Sequence, residues 1–187
     1  VMPALQGAAM TVRIGHMGLR IDERLSPLGR LDISLPALAS EAVFNVVFAD
    51  GERGAIDVAI NDFGQVRRIA LQWKGDTGLG INVRQVGSGP TAVQTGTFGH
   101  PALADGWRAQ IVTVARTAPR PQVVRVAVAA PVTEATCGRQ LAATTLEQDL
   151  NGVYRATPVT LAAASCDRVG DILVLKNLLS DLRIASN

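Results

Sequence analysis

The sequence predicts a mainly β protein, built either as an antiparallel β-sandwich or as an antiparallel sheet packed by a short C-terminal helix. Short segments alternate apolar and polar residues with a period of two, and turns rich in Gly, Pro, Asn and Asp separate them. Hydrophobic residues make up 48% of the 187 residues and charged residues 18%, which excludes intrinsic disorder as the bulk state. We therefore expect a single β-rich domain over residues 1–187.

The N-terminal part of the chain contains the clearest strand candidates. Turn signals at Asp50-Gly51 and at residues 62–64 separate the last three, which we expect to form an antiparallel meander with the segment 42–48 as a central strand. In the fourth candidate, Ile56, Val58 and Ile60 alternate on one face. The five candidates are residues 11–21, 31–35, 42–48, 55–61 and 66–73.

Residues 75–106 differ from the rest because glycine is frequent and one short strand candidate, residues 79–86, interrupts them. A long loop in a compact domain is either functional or mobile. We therefore predict a glycine-rich interaction loop in this region, with Gly89, His100 and Trp107 as candidate contact residues.

Two apolar runs follow, residues 109–115 and 122–129, and a Pro-Arg-Pro connector between them predicts a pair of neighbouring strands. The last element differs, because the apolar residues between Asp167 and Leu182 follow a helical spacing and Asp167 could cap the N-terminus. These features predict the short C-terminal helix, with a strand over residues 171–175 as the alternative.

The two cysteines, Cys137 and Cys166, have neither the CxxC spacing nor the neighbouring histidines of a zinc site. Between them lies Asn151-Gly152, which favours a type I′ hairpin turn. In such a hairpin, opposed residues have numbers that add to 303, and those of the two cysteines do so. We predict a disulfide that closes a hairpin over residues 137–166, although a β-bulge in arms of this length would shift the register.

A helix over residues 139–150, capped by Asn151-Gly152, is the competing interpretation of the same segment. The disulfide is expected in both cases. Since disulfides persist in oxidising compartments, it predicts a periplasmic or extracellular protein.

Charge patterning gives no support for a nucleic-acid partner. The chain has 18 Lys and Arg against 16 Asp and Glu, a formal net charge of +2, and its arginines are scattered except for the pair Arg67-Arg68. Phosphate binding requires a basic stripe and base stacking requires aromatic platforms, whereas only 4% of the residues are aromatic. No apolar run approaches the 18 residues of a membrane-spanning helix.

Candidate catalytic residues are few. Of the two histidines, His16 falls in a strand candidate, and His100 could join Asp105 and Ser88 in a hydrolytic triad, although no GxSxG motif surrounds Ser88. Neither histidine has further ligands at metal-binding spacing, and no glycine-rich segment completes a nucleotide-binding motif. We expect no cofactor and no metal.

These features together favour a non-catalytic, extracytoplasmic structural or protein-interaction subunit of a bacterial cell-envelope or surface assembly. It would contact a protein partner, or copies of itself, through an edge strand or the glycine-rich loop. The alternatives are a periplasmic carrier of a small apolar ligand, held between sheet and helix, and an exported hydrolase that uses His100.

Overall fold

The structure is a computed structural model that describes residues 10–87, 93–148 and 153–186. Within these ranges the regular elements are β-strands, apart from two 3-10 helices at Phe63–Gln65 and Cys166–Arg168. None of the helices described is long and apolar enough to cross a bilayer. The strands are β1 Thr11–His16, β2 Leu19–Arg24, β3 Glu41–Phe48, β4 Arg53–Ala59, β5 Val66–Lys74, β6 Gly80–Val86, β7 Val93–Phe98, β8 Trp107–Ala115, β9 Thr117–Ala118, β10 Gln122–Pro131, β11 Gln140–Gln148, β12 Tyr154–Ala162, β13 Ile172–Leu175 and β14 Leu182–Ser186.

The strands form three sheets. Sheet I has the order β2-β1-β3-β4, and sheet II has the order β12-β11-β5-β8-β7. Sheet III has the order β13-β10-β14-β9, and β6 also pairs with β10. All pairings are antiparallel except that of β14 with β9. The predicted mainly β, antiparallel and sandwich-like class is therefore confirmed.

Sheet II is the middle layer, because its alternate side chains enter two different hydrophobic clusters. From β5, Ile69 and Leu71 join the cluster shared with sheet III, whereas Ala70 joins the cluster shared with sheet I. On β8, Val112 and Ile111 divide between the two clusters in the same way. Burial on both faces explains the uninterrupted apolar run Ile69-Ala70-Leu71 in the middle of β5.

The predicted meander is wrong at its third strand. β3 and β4 pair as expected, but the 3-10 turn at Phe63–Gln65 sends β5 into sheet II, where it lies between β8 and β11. A strand that must bury both faces needs a layer on each side. A strand of sheet II has sheet I on one side and sheet III on the other. This leaves β4 as an edge strand of sheet I.

Two further N-terminal predictions need correction. Residues 11–21 contain two strands, because Met17 and Gly18 adopt positive φ angles and turn the chain back between His16 and Leu19. Residues 31–35 pair with no strand in the described part of the chain, although their alternate leucine and isoleucine side chains do pack on the core. They belong to the segment 25–40, which we call the strap.

The described part of the glycine-rich region contains more strand structure than the predicted loop. It contains the expected strand, β6, but also β7, which pairs along β8. The predicted pairing of residues 109–115 with 122–129 is wrong, because the proline-containing connector carries the chain from β8 in sheet II to β10 in sheet III.

The predicted C-terminal helix is also wrong, and its strand alternative is confirmed. β13 and β14 both pair with β10, and Leu182 and Ile184 enter the core from β14 with the period of two. Asn177 has a φ of 65° in the segment between these strands, a backbone conformation that an α-helix does not contain. Pairing with β10 thus overrides the helical spacing.

Residues 140–148 form a strand, β11, so the hairpin is confirmed over the helix. Its register differs by one residue from the prediction, since opposed residues add to 302. This register places Leu141 opposite Leu161 on the buried face, whereas the predicted one would set Leu141 opposite the exposed Ala162. The Asn151-Gly152 turn lies outside the described residues.

The predicted disulfide is present, with the Cα atoms of Cys137 and Cys166 4.9 Å apart. The bridge lies beyond the open end of the β11–β12 ladder, not within it. The ladder continues as far as the bond from Gly138 N–H to Ala164 C=O, and Cys166 starts a 3-10 helix. The bridge therefore closes the hairpin at the end opposite its turn.

Candidate functional site

The strand β4 is the most exposed part of sheet I. All seven of its residues are solvent-exposed, and its partner on one side is β3. Ile56 is 58% exposed and Val58 39% exposed, and both lie on the face of the sheet that carries Phe44 and Ala42 of β3. An exposed apolar edge strand of this length is a template for pairing with another chain.

The backbone of β4 has a free hydrogen-bonding edge. Ladder bonds from Phe48 N–H to Glu52 C=O and from Ile60 N–H to Ser40 C=O show that even-numbered residues bond to β3. Because bonded and outward-facing residues alternate along an antiparallel strand, the odd-numbered residues 53, 55 and 57 direct their N–H and C=O groups outward. Within the described residues these groups have no hydrogen-bond partner.

Two other sheet edges, those of β2 and β12, are covered or interrupted. On the outer edge of β2, Arg20 N–H donates to Gln72 Oε1 at 2.7 Å, and Asp22 C=O accepts from His100 N–H at 2.8 Å. The edge strand β12 contains Pro158, which has no N–H to offer. Among the described residues, no such bond covers the edge of β4, and β4 contains no proline.

An apolar groove adjoins β4. It has a volume of about 480 Å³ and lies between the apolar face of sheet I and residues 25–33 of the strap. Such a groove, next to a free strand edge, can receive alternate side chains of an added strand. Its apolar walls include Ile14, Val46, Phe48, Ile56, Leu31 and Ile33.

The strap is fastened to sheet I by a buried histidine. His16 Nε2 accepts from Leu38 N–H at 2.8 Å, and His16 Nδ1 lies 2.9 Å from Val43 C=O, to which it must donate. Both bonds require the neutral imidazole with its proton on Nδ1. Burial lowers the pKa of His16 below its ordinary value, which is consistent with this neutral form.

A second bond anchors the same end of the strap, because the Arg68 guanidinium donates to Ala37 C=O at 2.7 Å. Arg68 also lies over the Phe63 ring at 5.5 Å. The strap is thus held by sheet I through His16 and by sheet II through Arg68. It forms a fixed wall of the groove.

The predicted interaction loop is tied down at the two residues that can be placed. Besides the bond from His100 N–H to β2, Trp107 N–H donates to Asp22 Oδ2 at 3.1 Å, and the Trp107 ring lies 5.5 Å from the Arg20 guanidinium. Gly89 lies outside the described residues. This region therefore acts in part as a cover for the β2 edge, and its role in partner contact stays a prediction.

The hypothetical triad has no geometric support among the described residues. The His100 ring accepts at Nδ1 from Ala102 N–H at 3.2 Å, and no described carboxylate or hydroxyl bonds to this ring. Ser88 lies outside the described residues. The described part of the chain also contains no group of three or more His, Cys, Asp and Glu residues that could hold a metal ion.

Sequence reasoning missed the β4 edge and the adjoining groove. The sequence shows the alternation of Ile56 and Val58, but the same alternation is equally compatible with a buried strand face and with an exposed one. A usable signal was the absence of proline from residues 53–59, together with the charges at Arg53 and Asp57.

Comparison with protein-family models, curated proteins and solved structures gives no significant match to this chain.

Proposed function

We propose that this chain is a non-catalytic, extracytoplasmic protein-interaction subunit that docks a protein partner by strand addition to the free edge of β4. The observation that carries the proposal is the combination of outward backbone groups at residues 53, 55 and 57, which have no partner among the described residues, with exposed apolar side chains on the same strand. Backbone bonds supply affinity in this mode, and pockets for alternate side chains supply specificity.

The disulfide supports the extracytoplasmic part of the proposal. A bridge between Cys137 and Cys166 persists in the periplasm or outside the cell and is rare in a reducing cytosol. In intact cells, an impermeant thiol reagent applied before and after reduction tests this point. Absence of labelling after reduction would contradict the extracytoplasmic location, and labelling of both cysteines without a reductant would contradict the bridge.

Placement of the groove supports docking by a strand. One wall is the apolar face of β3 and β4, so a partner strand paired to β4 would direct alternate side chains toward the groove mouth. The groove size also suits a small apolar ligand, which keeps the carrier as a second candidate. Its predicted site between sheet and helix does not exist, because the helix is absent.

Site-specific photo-crosslinking in the natural host tests the proposal. A photoreactive amino acid at Ile56 is compared with one at Ile172, a 62% exposed isoleucine on the edge strand β13. We expect a protein adduct of defined mass at position 56 and none at position 172. Equal adducts at both positions, or none at position 56, would contradict docking at β4.

A proline substitution separates backbone pairing from side-chain contact. Ala55→Pro removes an N–H that points away from β3, so sheet I can retain its ladder. We expect the adduct at position 56 to be lost, with the unfolding temperature little changed. A persistent adduct would mean that the partner does not pair with the strand edge.

A further inference from the structure

We propose that the occupant of the β4 edge is a second copy of this chain, paired antiparallel to β4 about a twofold axis through Ala55. This inference rests on the proposed docking at β4. It adds the identity of the partner and the register of the pairing. Three independent features of residues 53–57 support it.

The first feature is the direction of the backbone groups. Since odd-numbered residues of β4 point outward, a second β4 strand must pair odd residues with odd residues. Opposed residues then have numbers with an even sum. Such pairings also leave the apolar faces of both copies on the same side of the joined sheet.

The second feature is the charge pattern. In the register centred on Ala55, Arg53 of each copy lies opposite Asp57 of the other copy, which gives two symmetric pairs of opposite charge. Registers centred on Arg53 or Asp57 place like charges opposite each other. Within the described residues neither side chain forms an ion pair, so both are available to a partner.

The third feature is the space above Gly54. In the register centred on Ala55, Ile56 of one copy lies opposite Gly54 of the other. The two residues form a non-hydrogen-bonded pair, the type of antiparallel pair with the shorter Cα–Cα distance. A side chain built on Gly54 would meet no atom of the described residues within 4 Å, so these residues leave the space beside it open. The partner's Ile56 side chain can occupy that space and lose much of its exposure to water.

Pairing in this register would join two four-stranded sheets into one continuous sheet of eight strands. The grooves beside the two β4 strands would lie on the same face, one on each side of the twofold axis. The interface is isologous, so it closes as a dimer and does not propagate as a fibre.

Sedimentation of the purified chain over a range of concentrations tests the inference. We compare the wild type with Arg53→Asp, with Asp57→Arg and with the double variant that carries both changes. Arg183→Asp, on β14 of sheet III, is the control for net charge. All three positions are exposed, so we expect the variants to fold.

We expect the wild type to form a dimer and each single β4 variant to weaken the dimer by about tenfold or more, because both symmetric pairs become repulsive. The double variant should recover wild-type affinity within about threefold, and Arg183→Asp should have no effect. Stronger association in the single variants would instead show that these charges protect the edge from pairing, and would overturn the inference.

A wild type that remains a monomer at all concentrations would also overturn it. If position 56 still crosslinks to a different protein in the host, docking at β4 stands and only the second copy is wrong. If position 56 gives no adduct and no dimer forms, the proposed function fails as well.

Discussion

The disulfide allows the strongest quantitative prediction about stability. It joins residues 29 apart in sequence and ties the segment that precedes β11 to the 3-10 helix after β12. In the chain-entropy description, closing a loop of this length removes freedom from the unfolded chain, which raises the free energy of unfolding by about 3.6 kcal/mol. Opening the bridge should remove that contribution.

For a chain of this size, each kcal/mol corresponds to about 2 to 4 °C in unfolding temperature. We therefore expect reduction to lower the unfolding temperature by about 7 to 14 °C. Calorimetry of the wild type with and without a phosphine reductant measures this shift. The double variant Cys137→Ser/Cys166→Ser should unfold near the temperature of the reduced wild type.

The double variant is also the control for the reductant, which should leave its unfolding temperature unchanged. A decrease of less than about 2 °C on reduction of the wild type would refute the reasoning. It would mean that the unfolded chain already holds this hairpin together, so the bridge restricts little additional freedom.

Three further predictions concern the residues that position the groove and the cover of β2, and thermal or denaturant unfolding measures each. Because burial lowers the pKa of His16, the contribution of neutral His16 to the free energy of unfolding should be fully present above pH 6.5. It should fall as the pH decreases below 6.5, by up to about 1.4 kcal/mol per pH unit, and His16→Gln should remove this dependence. Gln72→Leu should cost about 2 kcal/mol or more, since Arg20 N–H and Gly18 C=O lose their partner. Gly99→Ala should cost on the order of 2 to 3 kcal/mol, because φ is +98° and a side chain would lie 2.6 Å from a backbone oxygen. A change below about 0.5 kcal/mol in any of the three would contradict the assigned contact.

Local patterns predicted the strands better than they predicted strand partners. The period of two correctly identified β6 and β10, and the disulfide was correctly paired. The choice of neighbour depends on which faces must be covered, and that depends on residues far away in sequence. Val66–Lys74 therefore lies in the middle sheet and not in the expected meander, because the middle sheet covers both of its faces.

The alternation of apolar residues also does not distinguish three environments found here. Ile69 alternates into a core, Ile56 alternates on an exposed edge, and Ile33 alternates on a strap that pairs with no described strand. Because of this ambiguity, the alternation alone could not identify the exposed edge that forms the candidate site. The charges at Arg53 and Asp57 were visible, but their meaning depends on which backbone groups of β4 face outward.

Disulfide trapping of single-cysteine variants tests pairing at the β4 edge most directly. Both natural cysteines are bridged, so a cysteine placed at Ala55 or Ile56 is the one free thiol. In the proposed register the two Ala55 Cα atoms lie about 5.5 Å apart, within the range of a disulfide, whereas the Ile56 positions lie about 7 to 8 Å apart. Mild oxidation should therefore link Ala55→Cys into a dimer much faster than Ile56→Cys. A faster link at Ile56, or no link at either position, would contradict the proposed pairing.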